Sequence, residues 1–231
     1  TVLGAFAGVA SAQTSVTIYG SFDGGVRSPT NVDAAGNSKL TVGSNGTYYS
    51  NRLGFKGVED LGGGLNAHFA LETGFNTGTG GLDNPAGRLF NRGASVGLGG
   101  TWGSIDFGHQ YTTVFKTMAA YDPLGYKYTG IAPVVGMSGG TGNNAARFDN
   151  DIQYTGTFGP MTARAELALG EVAGSSSVNS AQSVGLNYAE GPLALGAAYL
   201  QRKDGTTASA ATFDYKNYTL GGAYKFGPAR V

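Results

Sequence analysis

Cysteine is absent from this 231-residue chain, which excludes a disulfide framework and any thiolate metal site. Tryptophan occurs once and histidine only twice. Charged residues make up 13% of the chain, against about 25% in ordinary soluble domains. The formal net charge is zero, so no overall basic field points to nucleic acid. Long hydrophobic runs are also missing: no stretch approaches the roughly 18 apolar residues of a transmembrane helix. If the chain lives in a membrane, it crosses as strands.

What the chain does have is turn-formers and aromatics, with 41 glycines, 13 tyrosines and 12 phenylalanines. Aromatic residues favour strands. Residues 1–12 read as the remnant of a secretory signal, because the short apolar run from Val2 to Val9 leads into the small-x-small site Ala10-Ser11-Ala12. The mature chain is then expected to begin at Gln13, and a buried N-terminal helix is the alternative.

The run Gly159 to Gly170 shows the dominant pattern. Met161, Ala163, Ala165, Leu167 and Leu169 alternate with Thr162, Arg164 and Glu166, so one strand face is oily and the other wet. Strand-like segments fall at about 15–27, 51–58, 65–75, 92–98, 104–111, 149–155, 161–169, 183–188, 193–200 and 216–226. Connections between them alternate between short and long, which puts all the short turns at one end of an up-and-down antiparallel sheet. Tyr154, Tyr188 and Tyr224 each precede a Gly-Pro turn, at 159–160, 191–192 and 227–228. Aromatics beside such turns suit a girdle at a membrane boundary.

Alternation alone does not say which face is outside. A soluble sandwich turns its apolar faces together, whereas a membrane barrel turns them to lipid and fills its interior with polar groups and water. One-sided apolar strands, short turns at one end, flanking aromatics, low charge and a secretory signal favour the second arrangement. Arg164 and Glu166 then face a water-filled lumen.

Four stretches carry a family resemblance: "SVTIYGSFDGGVR" at 15–27, "SNRLGFKGVEDLGGGLNAHFALETGF" at 50–75, "RLFNRGASVGLGGTWGSIDFGHQY" at 88–111 and "NDIQYTGTFGP" at 150–160. From Ser15 onward the chain resembles the general porins of Gram-negative outer membranes, in particular the β-proteobacterial type. The resemblance implies an all-β transmembrane barrel of sixteen strands, about ten of them within this chain, so residues 13–231 are expected to form one barrel domain, incomplete at its carboxy-terminal end. It also implies a homotrimer in outer-membrane lipid whose third long loop folds inward to narrow a channel for ions and small hydrophilic solutes. No cofactor, metal or nucleic acid is expected.

The longest connection, 112–148, is the natural narrowing element, and "TTVFKTMAAYD" within it suits one or two helical turns. Its formal charges over 112–146 are Lys116, Asp122 and Lys127. The family places arginines on the wall opposite this loop. Arg52 and Lys56 alternate with Leu53 and Phe55 and so are expected in the lumen, and Arg147 faces inward if Ile152 and Tyr154 face lipid. Simple parity with Ala94, Val96 and Leu98 turns Arg92 outward, but the family pattern turns it inward. The inward reading is adopted, since an arginine at mid-bilayer facing lipid costs about 2–4 kcal/mol. The pore-lining set expected is therefore Arg52, Lys56, Arg92, Asp122 and Arg147, with a mild anion preference that Glu72, Asp149 and Asp151 oppose.

Enzyme signatures are weak. Gly136 to Gly140 matches the G-x-S-x-G pattern without a strand-to-helix elbow, and Gly140 to Ala145 resembles a dinucleotide fingerprint without a βα unit. His68 and Glu72 share a strand face but lack a second histidine nearby. The competing functions are a secreted soluble β-sandwich that binds carbohydrate on exposed tyrosines, and a barrel enzyme with its site among the outer loops.

Overall fold

A computed structural model describes residues 15–42, 48–121, 146–205 and 213–230. The strands are β1 (Ser15–Ser21), β2 (Val26–Arg27), β3 (Thr41–Val42), β4 (Arg52–Gly62), β5 (Leu65–Gly74), β6 (Gly93–Gly100) and β7 (Gly103–Tyr111). After a short helix α1 (Thr113–Met118) and a 3-10 turn (Ala119–Tyr121) come β8 (Arg147–Phe158), β9 (Met161–Ala168), β10 (Ala181–Glu190), β11 (Leu193–Asp204), β12 (Phe213–Phe226) and β13 (Ala229–Arg230). One antiparallel sheet runs in the order β1-β4-β5-β6-β7-β8-β9-β10-β11-β12-β13. Apart from β2 and β3, which lie in the connection between β1 and β4, each strand pairs with the next along the chain, as an up-and-down barrel wall requires.

All ten expected strands are present, but three details differ. The first ends at Ser21, and Val26–Arg27 instead pairs with Thr41–Val42 in a separate two-stranded sheet. An eleventh strand, β13, follows the Gly227-Pro228 turn. Within β8, Asn150 adopts φ 54°, and the register against β7 shifts between Gly108 and Gln110. This β-bulge breaks the alternation that sequence parity assumes. The expected signal remnant, residues 1–12, lies outside the described residues.

The Gly-Pro repeat is the chemistry of two-residue hairpins. Phe158 pairs with Met161, Glu190 with Leu193 and Phe226 with Ala229, leaving only the dipeptide between them. Gly159, Gly191 and Gly227 have φ of 58°, 57° and 56°, a region glycine enters without strain, and the proline that follows holds its own φ near −65°.

Side-chain polarity is inverted relative to a soluble protein. Leu220 is 85% exposed, Val184 54% and Leu167 45%, whereas Asp151, Gln153 and Glu166 are 1%, 0% and 6% exposed. Along β9 to β11 the exposed apolar residues alternate with inward polar or small ones. Along β9, Ala165 and Leu167 pair with Tyr154 and Ile152 of β8 on the outer face, while Glu166 pairs with Gln153 on the inner. Aromatics edge the outer face. Trp102 stacks on Tyr154 near the short turns at 6.3 Å, and Tyr199 packs on Tyr218 at 4.8 Å toward the long connections. Rings that sit best at a water boundary therefore bracket the apolar band.

Candidate functional site

The segment after β7 turns inward and rests on the concave face of the sheet. Thr112 caps α1, its hydroxyl accepting from the Phe115 N–H at 3.1 Å. Val114 and Met118 are buried in one cluster with Phe148, Ala168, Ala181, Ala198 and Leu200, all supplied by β8 to β11. Three wall glycines make the seat. A Cβ on Gly185 would lie 2.3 Å from Thr117 Oγ1, one on Gly196 2.6 Å from the Tyr121 ring, and one on Gly221 2.6 Å from Met118 Cε.

Polar contacts fix the same segment. Glu166 Oε2 accepts from the Thr113 N–H and from Gln153 Nε2, both at 2.7 Å. Lys116 Nζ donates to Gln110 Oε1 at 3.2 Å and also to Gln153 Oε1. Burial pushes the Lys116 ammonium below the ordinary lysine range, and the carboxylates of Asp106, Glu166 and Asp151 pull it back up. Lys116 is thus an internal counter-charge rather than a free loop cation.

On the opposing stretch of wall the three expected arginines come together. Arg92 Nε donates to Glu72 Oε1 at 2.7 Å, and Arg52 Nη1 stands 4.0 Å from the same oxygen. Tyr111 links Arg92 to Arg147: its hydroxyl accepts from Arg92 Nη2 at 3.3 Å and from Arg147 Nη2, and the Arg147 guanidinium lies 3.9 Å from the Tyr111 ring centroid. Arg147 Nε also donates to the Arg92 carbonyl at 2.6 Å. Arg52 has its own aromatic backing, 4.4 Å from the Tyr49 ring centroid. Stacking on aromatic faces holds guanidinium groups in place while leaving donors in their plane.

Four of the five expected pore-lining residues lie among the described residues. Arg92 sits beside inward-facing Glu72, not on the lipid side. Arg147 reaches the cluster by a route parity did not give: the bulge at Asn150 puts Phe148 inward against α1, and Arg147 lies across Tyr111 at the strand's start. Lys56 is exposed, its ammonium 5.7 Å from the Tyr19 ring centroid. Asp122 and Lys127 lie outside the described residues, as do Gly136 to Ala145 with the two enzyme-like motifs.

The acidic opposition is smaller than expected. Asp151 is buried behind α1, and Asp149 is held by Arg88 at 2.9 Å and His109 at 2.6 Å. His68 bonds Asp106 at 2.8 Å and Asn66 at 3.0 Å, while Glu72 is committed to Arg92, so the suspected His68–Glu72 pair is two separate contacts. Tyr111 was missed altogether. Its partners are 19 and 36 residues away, and no local pattern marks them.

A sheet greasy outside, polar inside and narrowed by an inward helix defines the wall of a transmembrane β-barrel. A family model described as Gram-negative porin matches residues 1–231. The chain belongs to the Gram-negative porin family. It is 36% identical over 239 residues to Outer membrane porin protein 32 of Delftia acidovorans, covering 98% of this chain and 65% of that one. It is 33% identical to an outer membrane porin protein of Bordetella pertussis, covering 97% of this chain and 64% of that one. Among solved structures it superposes on an anion-selective porin from Comamonas acidovorans with TM-score 0.79 and 31% identity, covering 94% of this chain and 66% of that chain. OmpF of Salmonella typhi, 18% identical with TM-score 0.66, shows the fold alone. The chain spans just under two thirds of the relatives it matches. The outer-membrane location expected from the sequence is that of the family and of these relatives.

Proposed function

We propose that the protein forms a water-filled channel through the outer membrane for passive diffusion of ions and small hydrophilic solutes, with a preference for anions. The observation that carries this reading is the inverted sheet, apolar and exposed outside, with Arg52, Arg92 and Arg147 gathered on the inner wall. Glu72 stands against Arg52 and Arg92, and Asp83 acts on Arg92 and Arg147 through space while Asn91 holds it at 2.6 Å. A positive surplus remains where water is confined by a low-dielectric wall, and such a field concentrates anions. The anion-selective relative supports the sign.

Residues 13–231 form, in this reading, most of one barrel domain, assembled as a homotrimer in outer-membrane lipid. An open sheet edge in hydrocarbon leaves backbone groups unpaired at several kcal/mol each, so further strands of the whole protein pair with β1 and with the β12–β13 end. Passage by diffusion needs no catalytic group. A soluble carbohydrate-binding sandwich fits less well, because Leu220, Val184 and Leu167 would then face water.

Reconstitution of the full-length protein in planar bilayers tests this. Stepwise conductance with a reversal potential of anionic sign in a salt gradient is expected. A protein that stays monodisperse in water without detergent and raises no bilayer conductance overturns the reading.

A further inference from the structure

We infer a second anion-binding station at Arg164, on the short-turn side of the inward segment, which takes the carboxylate or phosphate group of permeating solutes. The inference rests on the anion-channel reading above and deepens it. Arg164 lies on the inner face of β9, near the Gly159-Pro160 turn, whereas Arg52, Arg92 and Arg147 lie where their strands meet the long connections. The two groups of cations therefore stand toward opposite ends of the passage, with α1 between them.

The surroundings of Arg164 differ from those of the other inward arginines. Arg92 has Glu72 at 2.7 Å and Arg202 has Asp204 at 2.7 Å. Among the described residues no carboxylate comes within ion-pair distance of Arg164, and its cross-strand neighbours are Thr155 and Gly185. Glu166, two positions along the same face, is engaged through Oε2 with Thr113 and Gln153. The one side-chain partner of Arg164 among the described residues is Asn187, whose Oδ1 accepts from Arg164 Nη1 at 2.7 Å.

That single bond positions the guanidinium without neutralising it. Asn187 Nδ2 donates to the Thr117 carbonyl at 2.9 Å, so the inward helix sets the amide and the amide sets Arg164. A guanidinium has five N–H donors, and one bond to Asn187 leaves a planar fork for an incoming oxyanion. The group is part-buried, where an uncompensated charge is costly and an arriving anion relieves that cost. A carboxylate or phosphate engages the fork with two oxygens, whereas chloride offers one point of contact. Asn187 and Arg164 thus favour oxyanions over halide of equal charge.

The experiment uses the full-length protein in bilayers with inorganic phosphate as the probe. Chloride current is recorded while phosphate is raised, for wild type, Arg164→Gln and Arg164→Lys. Phosphate is expected to block wild type, and the half-blocking concentration is expected to rise about tenfold in Arg164→Gln, the loss of one charge-assisted contact. Arg164→Lys keeps the charge and so the chloride selectivity, but loses the fork and with it most of the block. A wild-type pore that is anion-selective but whose phosphate block is unchanged in both variants overturns the station alone. A cation-selective wild type overturns the channel reading on which it rests.

Discussion

Gly185 of β10 and Thr117 of α1 occupy complementary space, since a Cβ on Gly185 would meet Thr117 Oγ1 at 2.3 Å and Thr113 Cγ2 at 2.7 Å. The inward helix is seated on an absent side chain. Gly185→Val is expected to cost about 1–3 kcal/mol by overpacking and to displace α1, read as a lower thermal midpoint with altered single-channel conductance. Gly222→Val is the control, because a Cβ there meets nothing nearer than Leu195 Cδ2 at 3.4 Å. Equal conductance in the two variants would show that the helix does not rest on β10.

The second prediction concerns Arg52. Its guanidinium is 4.0 Å from Glu72, at the outer limit of an ion pair, and Glu72 keeps Arg92 at 2.7 Å when Arg52 is lost, so no buried carboxylate is left unpaired. Arg52→Gln is therefore expected to shift the reversal potential toward cations while leaving the unfolding midpoint within a few degrees. Glu72→Gln moves selectivity the other way, since it removes the carboxylate that offsets Arg52 and Arg92. A large stability loss in Arg52→Gln with unchanged selectivity would mark Arg52 as structural.

These predictions draw on two kinds of information, and only one was legible in the sequence. Strand order, the inner and outer faces of 161–169 and the Gly-Pro turns follow from alternation and turn chemistry within a few residues. The same local rule puts Arg52 and Lys56 on one strand face and Leu53 and Phe55 on the other. The bulge at Asn150 was not legible, because a single left-handed residue resets parity without changing composition. Nor were Tyr111 as a bridge between Arg92 and Arg147, or the glycine seat under α1. Both depend on side chains that meet only once the sheet curves.

Salt provides a third test. Screening lengths shrink from about 10 Å at 0.1 M to about 3 Å at 1 M ionic strength. The Arg52–Arg92–Arg147 surplus acts on ions in the open lumen, so the anion-to-cation permeability ratio is expected to fall steadily over that range. A ratio independent of salt would assign selectivity to a contact site rather than to the field of the cluster.

The last prediction addresses which face meets hydrocarbon. Leu220 is 85% exposed on the outer face of β12, while Thr157 lies on the inner face of β8 with Thr155 and Gln153. If lipid covers the outer face, Leu220→Arg carries a guanidinium into the apolar band at a cost of about 2–4 kcal/mol. Thr157→Arg places the same group in a wet lumen and is expected to stay within about 0.5 kcal/mol. Urea unfolding of each variant from lipid vesicles measures the difference. In a water-soluble sandwich with Leu220 at its surface, both substitutions would be nearly neutral. Equal midpoints would therefore reverse the assignment of inside and outside on which the channel depends.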